Sequence, residues 1–534
     1  MNMLARISHL FLLLMLMCLS ANTIAQQQRI RWGTRLKEPR GSRLRQIVDI
    51  SKDDFLALRY RPTTALYAIE RYWIERYDHR MRLKRAQAIE LKYKSKIQNF
   101  EGLFHWGGKL WLLTSFHNKA KKEVYLFRQQ IHRRSLRQNT RSMRLVARTP
   151  APKLTRKGHF NYYIPPDSSH LLIYNALPYQ KGQPEQFAFH VFKPNFELRW
   201  ARDVRLPWPD EQFKVKSYRV DRHGNVYLLG VRFLDDIAQQ RIGQPDYQYV
   251  ILAWFDDGQR MEQYTISLDN RFITDLTFRI GKDGIINCAG FYSEKGPGNI
   301  KGTCYLRIEP SQWCVLTQQA TPFSLEFLTP YYTPRKRERA RQAQAKQNTL
   351  RAPELYRYAL NHLILRSDGG AVLIAEQYYV KERTTYYGNY SRGYNIRRDF
   401  LYHYNDIIVV NIRPDGSLEW TARIPKRQIT TNDHGYFSSY AMATVQDRFY
   451  FIFNDHPRNF DQKRKRRYTF KGSKSVVALT EVRKDGTTHV WPLTSTQQAD
   501  VMVRPKICRQ IGARDMALYG ERRRRYRFGY LHFP

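Results

Sequence analysis

The sequence predicts an all-β chain built as a ring of four-stranded sheets, and three observations carry that prediction. A short turn followed by an almost continuous apolar strand recurs seven times; a second kind of hairpin, alternating with it, also recurs seven times; and the two series are out of step at the chain ends. The first member of the second series lacks a complete partner before it, and the last member of the first lacks one after it. Four-stranded repeats whose ends complete each other describe a β-propeller. The expectation is therefore seven four-stranded blades, closed by pairing of N- and C-terminal strands. An open β-solenoid or a pair of packed sandwiches leaves the complementary ends unexplained.

The clearest unit runs from Leu363 to Gln428. Its leading strands flank Asp368-Gly369-Gly370, where glycine supplies the positive φ of a tight hairpin loop. Its trailing strands, Ile407 to Ile412 and Leu418 to Ile424, flank Pro414-Asp415-Gly416. The leading hairpin recurs at Gly107 to Leu113, Asp167 to Ile173, His223 to Leu229, Asp283 to Ala289, Gln446 to Ile452 and Ala513 to Tyr519. The trailing hairpin recurs at Tyr72 to Leu91, Val124 to Ala147, Phe189 to Leu206, Tyr249 to Leu268, Cys304 to Thr321 and Val476 to Leu493. Strands that are apolar at both parities fit blades covered by a neighbour on each side.

The outer hairpin Asp415-Gly416-Ser417-Leu418-Glu419-Trp420, followed by Ile424, resembles the Gly-x-x-x-Trp-x-x-x-aliphatic step of quinoprotein-like repeat propellers. The stretch from Tyr402 to Asp455 resembles secreted bacterial propeller-like proteins of unassigned function. Both resemblances imply the fold. The quinone-binding residues of quinoprotein dehydrogenases have no counterpart in this chain, and no cofactor is expected.

Residues 1–25 read as a signal peptide: Arg6 precedes the apolar run Leu10 to Leu19, and Ala25 offers a small residue for cleavage before Gln26. That run is half of what a membrane-spanning helix needs. Residues 26–53 are basic and weakly patterned, an N-terminal tail or edge strand, and residues 54–534 form the propeller, with an extra strand or partial blade available from Asp54 to Tyr67. The insertion at 325–356 is basic, and Thr333 and Pro334 mark a helix start before Arg335 to Gln347. An exported protein, periplasmic or at the cell surface, is the expectation.

Lysine and arginine number 90 against 47 aspartates and glutamates, a formal net charge of +43. Such an excess attracts polyanions over a Debye length of about 8 Å at physiological salt. With 14% aromatic residues the chain is folded rather than disordered. After the leader, Cys288, Cys304, Cys314 and Cys508 remain. Cys288 and Cys304 fall on neighbouring strands, where a disulfide or two buried thiols are both consistent with the spacing.

Within each blade the long connections belong to one class, those from second to third strand and from blade to blade, which emerge on one face. Loops on a rigid scaffold are where binding concentrates. Three of them are both basic and aromatic. One contains Lys463, Arg464, Lys465, Arg466 and Arg467; a second contains Tyr378, Tyr379, Arg397 and Arg398; the third contains Arg523 and Arg524. Guanidinium groups pair bidentately with phosphate, sulfate or carboxylate, and tyrosine rings stack on sugar or base faces.

Catalytic signatures are scarce: His-Glu-x-x-His and Gly-x-Ser-x-Gly are both missing from the sequence. Glu376, Asp406, Asp433, His434, Asp455 and His456 follow apolar strands and are candidates for an acid/base or metal-binding set at the channel mouth. The preferred reading is a non-enzymatic binding or scaffold propeller. Its partner is an anionic polymer, lipopolysaccharide head groups or an acidic protein, with membrane-surface association through charge and no base-reading module. The alternative is a carbohydrate-active hydrolase or lyase.

Overall fold

Short turns with Asx-type geometry set the repeat. At Arg413–Ser417 and Arg483–Thr487 the chain reverses through a three-residue loop, with Asp415 and Asp485 accepting from the backbone two residues on and Gly416 and Gly486 at positive φ. The same three-residue loop, rather than a two-residue turn, serves Arg366–Gly370. Strands launched from such turns are buried on both parities; Val476–Val482 is buried at every position. The computed structural model describes residues 30–63, 70–93, 95–151, 158–177, 181–234, 245–389, 393–461 and 467–534, with backbone alone at 386–389 and 393–395. The expected signal peptide lies outside them.

Among the described residues, seven contiguous four-stranded antiparallel sheets follow one another, here blades 1 to 7. They begin at Arg43, Asn99, His159, Phe213, Phe272, Tyr358 and Ala441 and end at Ile89, Pro150, Pro209, Ile266, Pro322, Thr431 and Ser495. An eighth sheet joins the chain ends: Asp515–Arg522 pairs with Arg525–His532, and Arg31–Trp32 and Leu36–Lys37 add to the outer side of the latter. Eight apolar clusters each lie between two consecutive sheets, the last joining blade 8 to blade 1 through Phe55, Tyr77, Tyr519 and Phe528. The clusters therefore close a ring, and the fold is a β-propeller.

The closing sheet is additional to the seven expected blades. The cause is Arg43–Ile50, the innermost strand of blade 1. It alternates charged and apolar residues because one side faces the axis, so in sequence it resembles a basic tail. Arg31–Trp32 and Leu36–Lys37 are two short strands on the edge of the closing sheet. The closure is also held polar-side. Arg59, fully buried, donates to Glu75 at 2.5 Å and Glu38 at 2.7 Å and lies 4.3 Å from the Tyr526 ring centre. Tyr77 completes the cluster, bonding Glu75 and Tyr526. A buried cation tied to carboxylates from the N-terminal segment and from blade 1 links the head of the chain to its tail, and removing either partner strands a charge.

The Gly-x-x-x-Trp-x-x-x-aliphatic step has a packing role. Trp420, on the outer strand of blade 6, donates its indole N–H to Lys484 O at 2.7 Å, and its ring lies against Gly486 in the next blade's turn, where a Cβ would meet it at 2.8 Å. Trp200 lies against Gly258 in the same way between blades 3 and 4, with its indole N–H donated instead to Gly224 O at 2.9 Å. Ile424 is buried in the cluster between blades 6 and 7. The insertion carries the expected helix, Pro334–Ala345, capped by Thr333, and it buries Ala340 and Ala343. Cys288 and Cys304 are buried free thiols on paired strands, and burial raises the Cys304 thiol to about 12.

Candidate binding face

Neighbouring strands are antiparallel throughout each blade. First-to-second and third-to-fourth turns therefore emerge on one face of the disc, and second-to-third connections and blade crossings on the other. The three sequence-predicted clusters occupy the second-to-third connections of blades 6, 7 and 8, three consecutive sectors of that loop face.

In blade 6 the connection is itself a hairpin. Ala371–Asn389 and Gly393–Ile412 pair continuously from Tyr378/Tyr404 to Asn389/Gly393, whereas pairing with the first strand ends at Gln377 (opposite Tyr358) and pairing with the fourth at Leu401 (opposite Thr431). Residues 382–389 and 393–400 thus form a two-stranded arm, projecting about 26 Å at ~3.3 Å per residue. The polar loop expected from Gln377 to His403 is strand because Thr, Tyr and Val suit an extended pair whose backbone groups satisfy one another.

Residues opposite each other share a face of the arm. One face carries Arg383, Asp399 and Arg397: the carboxylate accepts from Arg397 Nε at 3.0 Å, Arg383 at 3.2 Å and Asn432 at 2.9 Å. These bonds, Arg397's foremost, hold the Asp399 carboxyl below its usual range. Both arginine side chains remain more than half exposed. The other face carries Arg398, 3.6 Å from Glu382, with exposed Val380, Phe400 and Ile396. At the base, Tyr378 packs 4.7 Å from Tyr404, and Tyr379 stacks on His403 at 4.3 Å.

In blade 7, Lys463, Arg464, Lys465 and Arg466 lie outside the described residues. Arg467 is committed inward, donating at 2.5 Å to the fully buried Asp455, which also accepts from Asn459 and from the His456 N–H. Burial raises the Asp455 carboxyl and Arg467 opposes the rise. Phe470 N–H bonds Arg427 O at 2.9 Å and so ties this loop to blade 6.

In blade 8 the connection is a two-residue turn between paired Arg522 and Arg525. Arg523 and Arg524 occupy it with φ of 50° and 59°, exposed, in the left-handed region that usually selects Asn-Gly. Arg524 O accepts from the Glu38 N–H at 2.8 Å.

The candidate acid/base residues do not form an open set. Glu376 pairs at 2.6 Å with Lys426, fully buried, which also donates to Tyr404 O and Gln428. Asp406 bonds Arg423, Tyr331 and the Lys426 N–H. Asp433 caps the turn at Gly435, His434 bonds Tyr402, and His456 accepts from the Arg458 N–H. Each is engaged locally, and among the described residues no cluster of His, Cys, Asp and Glu is arranged to hold a metal ion. Lys426 and Arg59 carried no sequence signal, since a lysine or arginine inside an alternating strand reads as its solvent side.

No protein-family model matches the chain, and no curated protein matches it significantly. Solved structures do resemble it. The WD40 domain of SCAP from fission yeast aligns over 95% of this chain and 99% of its own, at 8% identity and a TM-score of 0.39. The polysaccharide lyase Uly1 aligns over 81% and 90%, at 9% identity and 0.34. A Synechocystis apocarotenoid oxygenase variant aligns over 88% and 94%, at 9% and 0.35.

Proposed function

We propose that this is an exported, non-enzymatic binding propeller whose loop face engages an anionic polymer, in the periplasm or at the cell surface. The reading is supported by charge and topology together. A chain of net charge +43 directs arginine-bearing connections from three consecutive blades to one face, and one of them is a two-stranded arm with paired, exposed guanidinium groups. Arg383 and Arg397 bracketing one carboxylate leave a surplus positive charge on two side chains that are more than half exposed, the arrangement that sulfate, phosphate or uronate groups pair with. Stacked Tyr379 and His403 below them add flat surfaces for sugar rings.

The test is retention on immobilised heparin, a sulfated polyanion, across a salt series. Retention should fall steeply with ionic strength, and R383Q/R397Q/R398Q should elute at clearly lower salt. Unchanged elution of that variant refutes the assignment of the arm. Retention by an acidic protein but not by heparin refutes the polymer in favour of a protein partner.

A further inference from the structure

Among the described residues, the innermost strands of blades 1, 2, 4, 5 and 6 each carry a β-bulge near the loop-face end. The bulges leave Arg45, Glu101, Lys216, Thr274 and Asn361 with no partner opposite in the second strand. A bulge breaks the regular alternation and re-aims a side chain. In blades 4 to 6 these residues are bonded to their surroundings. Lys216 donates to Asp275 at 3.1 Å, whose other oxygen accepts from the Leu360 N–H at 3.1 Å. Thr274 donates to Phe291 O at 3.3 Å, and Asn361 accepts from the Tyr440 hydroxyl at 3.3 Å. Between blades 1, 2 and 3 the belt opens instead into a cavity of about 210 Å³, whose lining includes Arg45, Gln46, Phe100, Glu101, Asn161 and Tyr162. Arg45 leans toward blade 2, its guanidinium 5.7 Å from the Phe100 ring centre, and it makes a long hydrogen bond of 3.4 Å to the Tyr72 hydroxyl. Among the described residues no carboxylate lies within 4 Å of it. Glu101 is drawn the other way and accepts from the Ser115 hydroxyl. Two rings are fixed in the wall. Phe100 is backed by Tyr72 at 4.1 Å, and Tyr162 closes on Gly102, where a Cβ would meet its ring at 2.7 Å. Arg45, Gln46 and Asn161 are exposed.

A cavity of about 150 Å³ holds a benzene ring, so this one has room for a single six-membered ring with its substituents. A guanidinium without a protein carboxylate takes one bidentately from a ligand. Side-chain amides exchange hydrogen bonds with hydroxyls, as do the unpaired backbone groups along the inner edges of the three strands. Aromatic walls take the C–H face of a saturated ring. We propose that the axial channel holds one hexuronate ring, its carboxylate on Arg45, its hydroxyls on Gln46 and Asn161 and its ring face against Tyr162. A sulfate or phosphate would satisfy Arg45 and leave the ring and the amides idle; a neutral sugar would leave Arg45 without its counter-ion. The site is apart from the arm: it takes one ring, whereas the arm takes a polymer, so each can fail without the other.

The probes are sodium glucuronate and sodium galacturonate, compared with sodium acetate and glucose at matched ionic strength and read by titration calorimetry and thermal melting. At least one uronate should bind saturably and raise the melting midpoint. Acetate and glucose, each lacking half of the recognised groups, should bind at least about tenfold more weakly, the cost of one charge-assisted contact. R45Q should lose about the same factor and N161A a smaller one, both melting with the parent when no ligand is present. R383Q/R397Q/R398Q should bind the uronate as the parent does. A uronate-ended oligosaccharide that binds more tightly than the free acid makes the ligand a chain end, and equal binding makes it the free acid; either supports the site. The proposal is overturned if neither uronate binds, if acetate or glucose binds as well, if R45Q and N161A both bind as the parent does, or if the arm variant loses the binding.

Discussion

Replacing Arg523-Arg524 by Asn-Gly should make the protein more stable and less retentive at the same time. Both arginines sit in the left-handed region, at φ of 50° and 59°, where an ordinary side chain costs roughly 1–2 kcal/mol per residue. Asn and Gly adopt that geometry at little cost, and among the described residues no side-chain bond of either arginine is lost, since the contact with Glu38 is made by the backbone carbonyl. Allowing for a residual penalty at Asn, the gain is about 1–3 kcal/mol. Unfolding entropy near 2.1 cal/mol/K per residue gives about 1 kcal/mol/K for some 500 residues, so the midpoint should rise by about 1–3 °C. Calorimetry reads the midpoint, and heparin elution, measured on the same preparation, should move to lower salt. A lower midpoint would refute the assignment of strain to the turn. A higher midpoint with unchanged elution would separate the turn from the binding face.

Lys426→Met leaves Glu376 buried without its cation and should cost about 3–5 kcal/mol, whereas K426M combined with E376L should recover most of it; denaturant titration of the four proteins measures the coupling. Glu185, raised to about 8 by burial and by its hydrogen bond with Asp210, is protonated in the folded chain across pH 4.5–8 but ionised when unfolded. Its contribution is complete below pH 4.5 and is lost as pH rises to about 8; E185Q should flatten that decline, with melting points at pH 5 and 8 as the readout. Maleimide should label exposed Cys314 rapidly in the native protein, while Cys288 and Cys304 react only after unfolding, as mass spectrometry will report.

Hairpins with a turn residue and a two-sided apolar strand were legible because burial on both faces leaves no polar phase to confuse. The step from Gly416 through Trp420 to Ile424 pointed to the fold alone; that Trp420 lies against Gly486 of the next blade came from the structure. Blade 1 was half hidden because Arg43, Arg45, Gln46 and Asp49 give its inner strand the composition of a tail; exposure to an axial channel looks, in sequence, like exposure to solvent. The arm was hidden for a related reason: a two-stranded ribbon wet on both faces has no apolar period to read. Side-chain pairing was illegible altogether. Glu376, Asp406 and Asp455 looked free in sequence, and their cations come from residues 50, 17 and 12 positions away.

The eighth sheet places side by side two segments synthesised far apart in time, Arg31 opposite Tyr530. During synthesis the edge strand must therefore wait, unpartnered, until nearly five hundred residues have emerged, and the disc stays an open crescent until then. A premature stop upstream of Arg525 would leave a permanently gapped crescent with its two lips exposed. Conversely, a short peptide bridging the two termini, with a new opening cut at some other turn, should yield the same disc from a differently ordered gene.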